Sequence, residues 1–111
     1  MKTTLLILAI CLSQVVLSQQ AKKQTILIQT SAQCDDCKER IEGALNYTKG
    51  VKFADLDLET KKVSVQYKTK KINAQEIKDI IAKIGYDADE VKADAEAVSK
   101  LPKCCQPKGH P

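Results

Sequence analysis

The chain has no tryptophan, one phenylalanine and three tyrosines. A surface that binds nucleic acid by stacking needs aromatic platforms beside a basic stripe. Here the aromatics are too few, and the lysines are spread along the chain with small groups at Lys61–Lys62 and at Lys68, Lys70 and Lys71. A net charge of +4 is mild; it suits solvated faces and the steering of an acidic partner. No nucleic-acid partner is expected. Long apolar runs are missing too. The stretch Leu5 to Val16 is interrupted by Ser13 and Gln14 and falls short of the roughly 20 apolar residues of a membrane-spanning helix. The single histidine, His110, sits at the C-terminal end. A lone histidine in a frayed terminus is ordinarily solvated, and it would join a metal site only beside stronger ligands.

What is present begins with Lys2, then that apolar stretch, then Val16-Leu17-Ser18. This order reads as a secretory signal peptide cleaved after Ser18. The expected division is residues 1–18 as signal peptide, 19–23 as leader, 24–91 as one domain and 92–111 as a tail. A periplasmic or secreted location follows, with no stable membrane insertion after cleavage. An uncleaved anchor and a lipid on Cys11 are the rival readings, and bulky Ile10 beside Cys11 fits the second poorly. Cleavage leaves Cys34, Cys37, Cys104 and Cys105. An even count in a secreted chain raises disulfides, with three connectivities for four cysteines.

Gln24 to Thr30 is rich in β-branched and apolar residues and predicts a strand. From Cys37, the residues Ile41, Ala44, Leu45 and Thr48 recur at helical spacing, and Gly50 marks the exit. Lys38 and Glu42 form an i, i+4 pair. Val51 to Leu58 and Val63 to Tyr67 alternate around the turn at residues 59–61, as a hairpin does. Asn73 and Glu76 have the spacing of a capping box. Ile77, Ile80, Ile81 and Ile84 form a helical stripe that Gly85 closes. Tyr86 to Val91 predicts a short edge strand. The order is β-α-β-β-α-β: an α+β, ferredoxin-like sandwich with a four-stranded antiparallel sheet and two helices on one face. Phe53 and Tyr67 are expected in the core or on a sheet face. In the tail, Lys92 to Lys100 predicts a short helix stopped by Leu101-Pro102.

That topology places Cys34 and Cys37 in an exposed loop at a helix start, with the hairpin turn and Lys83, Gly85 and Tyr86 at the same end. A helix N-terminus favours the thiolate, while Asp35 and Asp36 oppose it by like charge. C-x-x-C spacing alone leaves open a disulfide, a redox pair or a metal site. A thioredoxin-like reading lacks the tryptophan before the motif and the proline inside it, and its strand order differs. A thiol–disulfide oxidoreductase with Cys34 attacking, and a disulfide-stabilised structural domain, remain the rivals to a metal carrier. Cys104 and Cys105 are candidate extra soft ligands, because neighbouring cysteines bridge each other only with strain. The tail is long enough to climb the domain and reach the motif.

The C-x-x-C after the first strand, "GVKFADLDLETKKVSVQY" across the hairpin and "IAKIGYDAD" after the second helix resemble the heavy-metal-associated domain. This is the module of copper chaperones, copper-pumping ATPases and periplasmic mercuric-ion-binding proteins. The resemblance spans roughly Gln24 to Val91. It implies that Cys34 and Cys37 are metal ligands and that Tyr86 packs near the metal. It further implies a non-enzymatic carrier of copper(I), or of zinc, cadmium or mercury(II), with a metal-transporting ATPase or another metal-binding domain as partner. Two departures stand out. Ser31-Ala32 replaces the usual Gly-Met, which implies a looser or differently packed loop. Asp35-Asp36 replaces small neutral residues, which implies a shift of preference from copper(I) towards zinc or cadmium.

Overall fold

The computed structural model describes residues 22–106. The expected signal peptide, Cys11 and His110 lie outside them.

The β-branched run forms β1 (Lys23–Gln29), and the two alternating runs form β2 (Val51–Asp57) and β3 (Lys62–Lys68). The sheet is antiparallel in the order β1-β3-β2, with Ile26 opposite Val65 and Ala54 also opposite Val65. Alternation decides the faces. Ile28, Ala54, Leu56, Val63, Val65 and Tyr67 point into the core, while Leu27 and Phe53 stand exposed on the other side. A register shift between Val51 and Phe53 breaks the β2 ladder. Helices α1 (Asp35–Asn46) and α2 (Ala74–Lys83) cover the inner face with Ile41, Leu45, Ile77 and Ile81. No helix among the described residues is long and apolar enough to cross a membrane.

α2 starts and stops as its sequence dictates. The Asn73 side chain accepts from the Glu76 amide at 2.8 Å and donates to the Glu76 carboxylate at 2.9 Å. At the other end Gly85 takes φ +107°, a conformation that costs L side chains strain. Its N–H donates to Ala82 O, and the next N–H, of Tyr86, reaches back to Ile81 O. These two bonds satisfy the last carbonyls of the helix.

α1 does more than cover the sheet. Its Glu42 carboxylate accepts from the Leu56 amide at 2.7 Å, and Asn46 Oδ1 accepts from the Ala54 amide at 3.0 Å. Lys38 Nζ donates to Leu56 O at 2.9 Å and lies 3.7 Å from Glu42. The expected Lys38–Glu42 pair is present, and it is spent on the free edge of β2. Unpaired backbone groups on an edge otherwise recruit other strands.

The expected fourth strand is not seen: among the described residues the sheet has three strands. Residues 86–91 make only the isolated bridges Thr30↔Ala88 and Ala88↔Val91. The reason is local. Ala88 and Val91 exchange both backbone hydrogen bonds at 2.9 Å, which folds the segment into a tight turn, and Asp89 sits at φ 50°. Asp89 still meets the edge of β1. Its N–H donates to Gln29 O, and its carboxylate accepts from the Gln29 amide at 2.8 Å. A side chain thus takes one ladder position that backbone was expected to fill.

Beyond this turn, α3 (Ala95–Lys100) begins at Asp94, whose carboxylate accepts from the Ala97 amide. The Asp94 N–H donates to Ala82 O at 2.9 Å, fixing α3 to the end of α2. Leu101 is buried, and a 3-10 turn follows at Lys103–Cys105. The described chain enters at Lys22, whose carbonyl accepts from the Thr69 amide. β1 then runs to Thr30, where the Thr30 hydroxyl and N–H both donate to Lys61 O. Seven residues of strand put these two ends roughly 20 Å apart.

Candidate metal centre

The loop between β1 and α1 is held from three sides. The Thr30 hydroxyl accepts from the Ala32 amide, and Ser31 Oγ accepts from the Asp87 amide at 2.9 Å. Ala32 is fully buried, so the small side chain leaves the loop packed rather than loose. Cys34 is the N-cap residue of α1, with extended backbone, and Cys37 lies in the first turn. This brings their sulfurs to 3.4 Å. They are not equally accessible. Cys34 is partly exposed, whereas Cys37 is fully buried, so the exposed loop expected from the topology is exposed at one thiol only.

The tail arrives at the same place. Cys105 is 1 % exposed, and its sulfur lies 3.8 Å from those of both Cys34 and Cys104. The sulfurs of Cys34, Cys104 and Cys105 all lie within 4.8 Å of one another. Cys34 Sγ also donates to Cys104 O at 3.6 Å, and Cys104 Sγ donates to Asp36 Oδ2 at 3.7 Å. No disulfide joins any two of these four cysteines.

Gly85 makes the tail's approach possible for a second reason besides its backbone. A Cβ there would stand 2.9 Å from Leu101 Cδ1. Leu101 therefore seats over the glycine, and Gln106 Nε2 donates to Leu101 O at 2.8 Å to close the turn. Tyr86, next in the chain, is completely buried. Its hydroxyl approaches the Cys37 and Cys105 thiols but reaches hydrogen-bond geometry with no partner.

Burial pushes the Cys34 thiol above its ordinary pKa, more than the Cys37 amide beside it pulls it down. Burial also acts upward on Cys37. There it is outweighed by the neighbouring Cys105 thiol, the Gln33 backbone, the nearby Tyr86 hydroxyl and Cys34, so the net direction is down. Cys105 is pushed up to about 12, first by burial and then by its thiol neighbours, against the Tyr86 hydroxyl. Burial, then Cys105 and Cys37, raise Tyr86 as well. A partly open cluster of soft donors of this kind suits thiophilic ions.

The heavy-metal-associated domain family matches residues 31–87, more than half of the chain. The chain belongs to this family. A copper chaperone, CopZ of Staphylococcus aureus (strain JH9), is 44 % identical over 64 residues, which cover 58 % of this chain and 94 % of that protein. Among solved structures, a CopZ metallochaperone is 38 % identical and covers 59 % of this chain and 98 % of its own, with a TM-score of 0.57. The N-terminal domain of a potential copper-translocating P-type ATPase from Bacillus subtilis, solved in its Cu(I)-loaded state, is 26 % identical. It covers 60 % of this chain and 85 % of its own, with a TM-score of 0.58.

The family match stops at residue 87. Cys104, Cys105 and the glycine-seated Leu101 thus have no counterpart within it. The sequence reading named all four cysteines and Tyr86. It missed Leu101 as the residue that anchors the tail, and it missed Ser31 as the tie to the Tyr86 segment. Leu101 lies 16 residues beyond Gly85, across a turn and a six-residue helix, and no local sequence signal marks that contact.

Proposed function

We propose that the chain is an exported carrier of a soft metal ion, copper(I) first, that binds its cargo through Cys34 and Cys37 and hands it to a thiol-bearing acceptor. The observation that carries this reading is the pair of thiols at 3.4 Å on the loop that opens α1, one of them reachable from solvent. The likeness to a copper chaperone over nearly all of that protein's length supports copper as cargo. The likeness to a copper-translocating ATPase domain supports such a domain as acceptor. Export rests on the expected signal peptide, residues 1–18.

Few ligands and an open side suit transfer. An incoming thiol can bind before an old bond breaks, so no free ion is released. The oxidoreductase rival would cycle Cys34 and Cys37 through a disulfide and needs no further thiol; the convergence of Cys104 and Cys105 on Cys34 favours the carrier of a soft ion.

Titration of the reduced protein with copper(I) against a competing chelator tests this. Wild type should take up the ion at high affinity, and Cys34→Ser/Cys37→Ser should lose that affinity while keeping its far-UV circular dichroism. Equal affinity in the two proteins would overturn the assignment.

A further inference from the structure

We propose that Cys104 and Cys105 join Cys34 in a three-thiolate site that holds a monovalent soft ion at rest, taking the positions that an acceptor's thiols occupy during handover, with Cys37 taking up the ion beside Cys34 when the tail thiols are absent. This rests on the carrier reading above and adds what the tail does for it.

Distances carry the argument. An ion bound to sulfur at about 2.3 Å holds two ligands in line roughly 4.6 Å apart, and three ligands in a plane roughly 4.0 Å apart. Cys34 and Cys37, at 3.4 Å, are short for a linear pair. The two 3.8 Å separations from Cys105 to Cys34 and Cys104 come within a few tenths of an ångström of the trigonal value.

The tail is also built to stay. Leu101 is seated on Gly85, Asp94 is bonded to the end of α2, and Cys105 is 1 % exposed. A frayed terminus would have none of these.

Loading forms three metal–sulfur bonds and releases three thiol protons; the ion keeps its charge and no electron moves. In handover each acceptor thiol replaces one tail sulfur on the metal, and its proton passes to the sulfur it displaced. The tail thus shields the ion until an acceptor competes for the same two positions.

The test uses the full reduced chain, copper(I) as probe and X-ray absorption to count sulfur neighbours. Three sulfurs are expected in wild type. Two are expected in Cys104→Ser/Cys105→Ser, those of Cys34 and Cys37, with one equivalent of copper retained and faster loss to a dithiol chelator. Circular dichroism checks the fold. Cys104→Ser alone, at a position only partly buried, gives the same reading with less repacking. Equal sulfur counts and equal transfer rates in wild type and both variants would overturn the tail site and leave the carrier standing. Absence of copper binding in all of them would overturn both.

Discussion

Gly85 does two jobs with one missing side chain. Its φ of +107° ends α2, and its bare Cα lets Leu101 sit within contact. Alanine would meet both demands badly. Strain of this kind costs roughly 1–3 kcal/mol, and the new methyl would press on Leu101. Gly85→Ala should therefore lower the urea midpoint and, separately, speed alkylation of Cys105 as the tail lifts. Unchanged labelling of Cys105 would show that Leu101 does not seat the tail. At this scale the sequence was partly legible. Gly85 announced a helix end, because a glycine after an apolar helical stripe has that meaning anywhere. Its second duty depends on a residue far along the chain, and no local pattern encodes such a contact. The four cysteines were legible as ligand candidates by chemistry, yet their unequal burial was not, since it follows from which face of the first turn meets the core.

Among the elements, α1 is tied to β2 by side chains as well as by packing. Glu42 and Asn46 accept from amides on the free edge of β2, and Lys38 donates to a carbonyl there. Each of these bonds is worth about 1 kcal/mol net, because water reaches the edge when a partner is lost. Glu42→Ala/Asn46→Ala should lower stability by about 2 kcal/mol and speed hydrogen exchange at Leu56 and Ala54 beyond the global change. Protection that falls uniformly along β2 would argue against a local tie. Spacing predicted the Lys38–Glu42 pair but not what it bonds to. The strand it serves is known only once the helix is laid on the sheet. The missing fourth strand has the same origin. Tyr86 to Val91 has strand-like residues, but the reciprocal Ala88–Val91 bonds and the Asp89 carboxylate on Gln29 use the groups a ladder would need. Helices and central strands repeat one pattern many times, so they survive such competition. A six-residue edge does not.

Taken whole, the molecule has two unlike ends. The described chain enters at Lys22 beside Thr69, at the far end of β1 from the thiols, and leaves at Gln106, folded back onto Leu101 next to them. The two termini therefore differ in what they tolerate. A bulky protein fused directly after Gln106 should slow copper(I) uptake and release several-fold by crowding the thiol end, whereas the same protein placed directly ahead of Lys22 should leave both rates unchanged. Stopped-flow exchange with a chromogenic chelator measures this. Equal slowing by both fusions would contradict the arrangement. A molecule fastened just ahead of Lys22, to a bead, a sensor chip or a membrane, would then present its thiols outward by construction, like a lamp on a stalk.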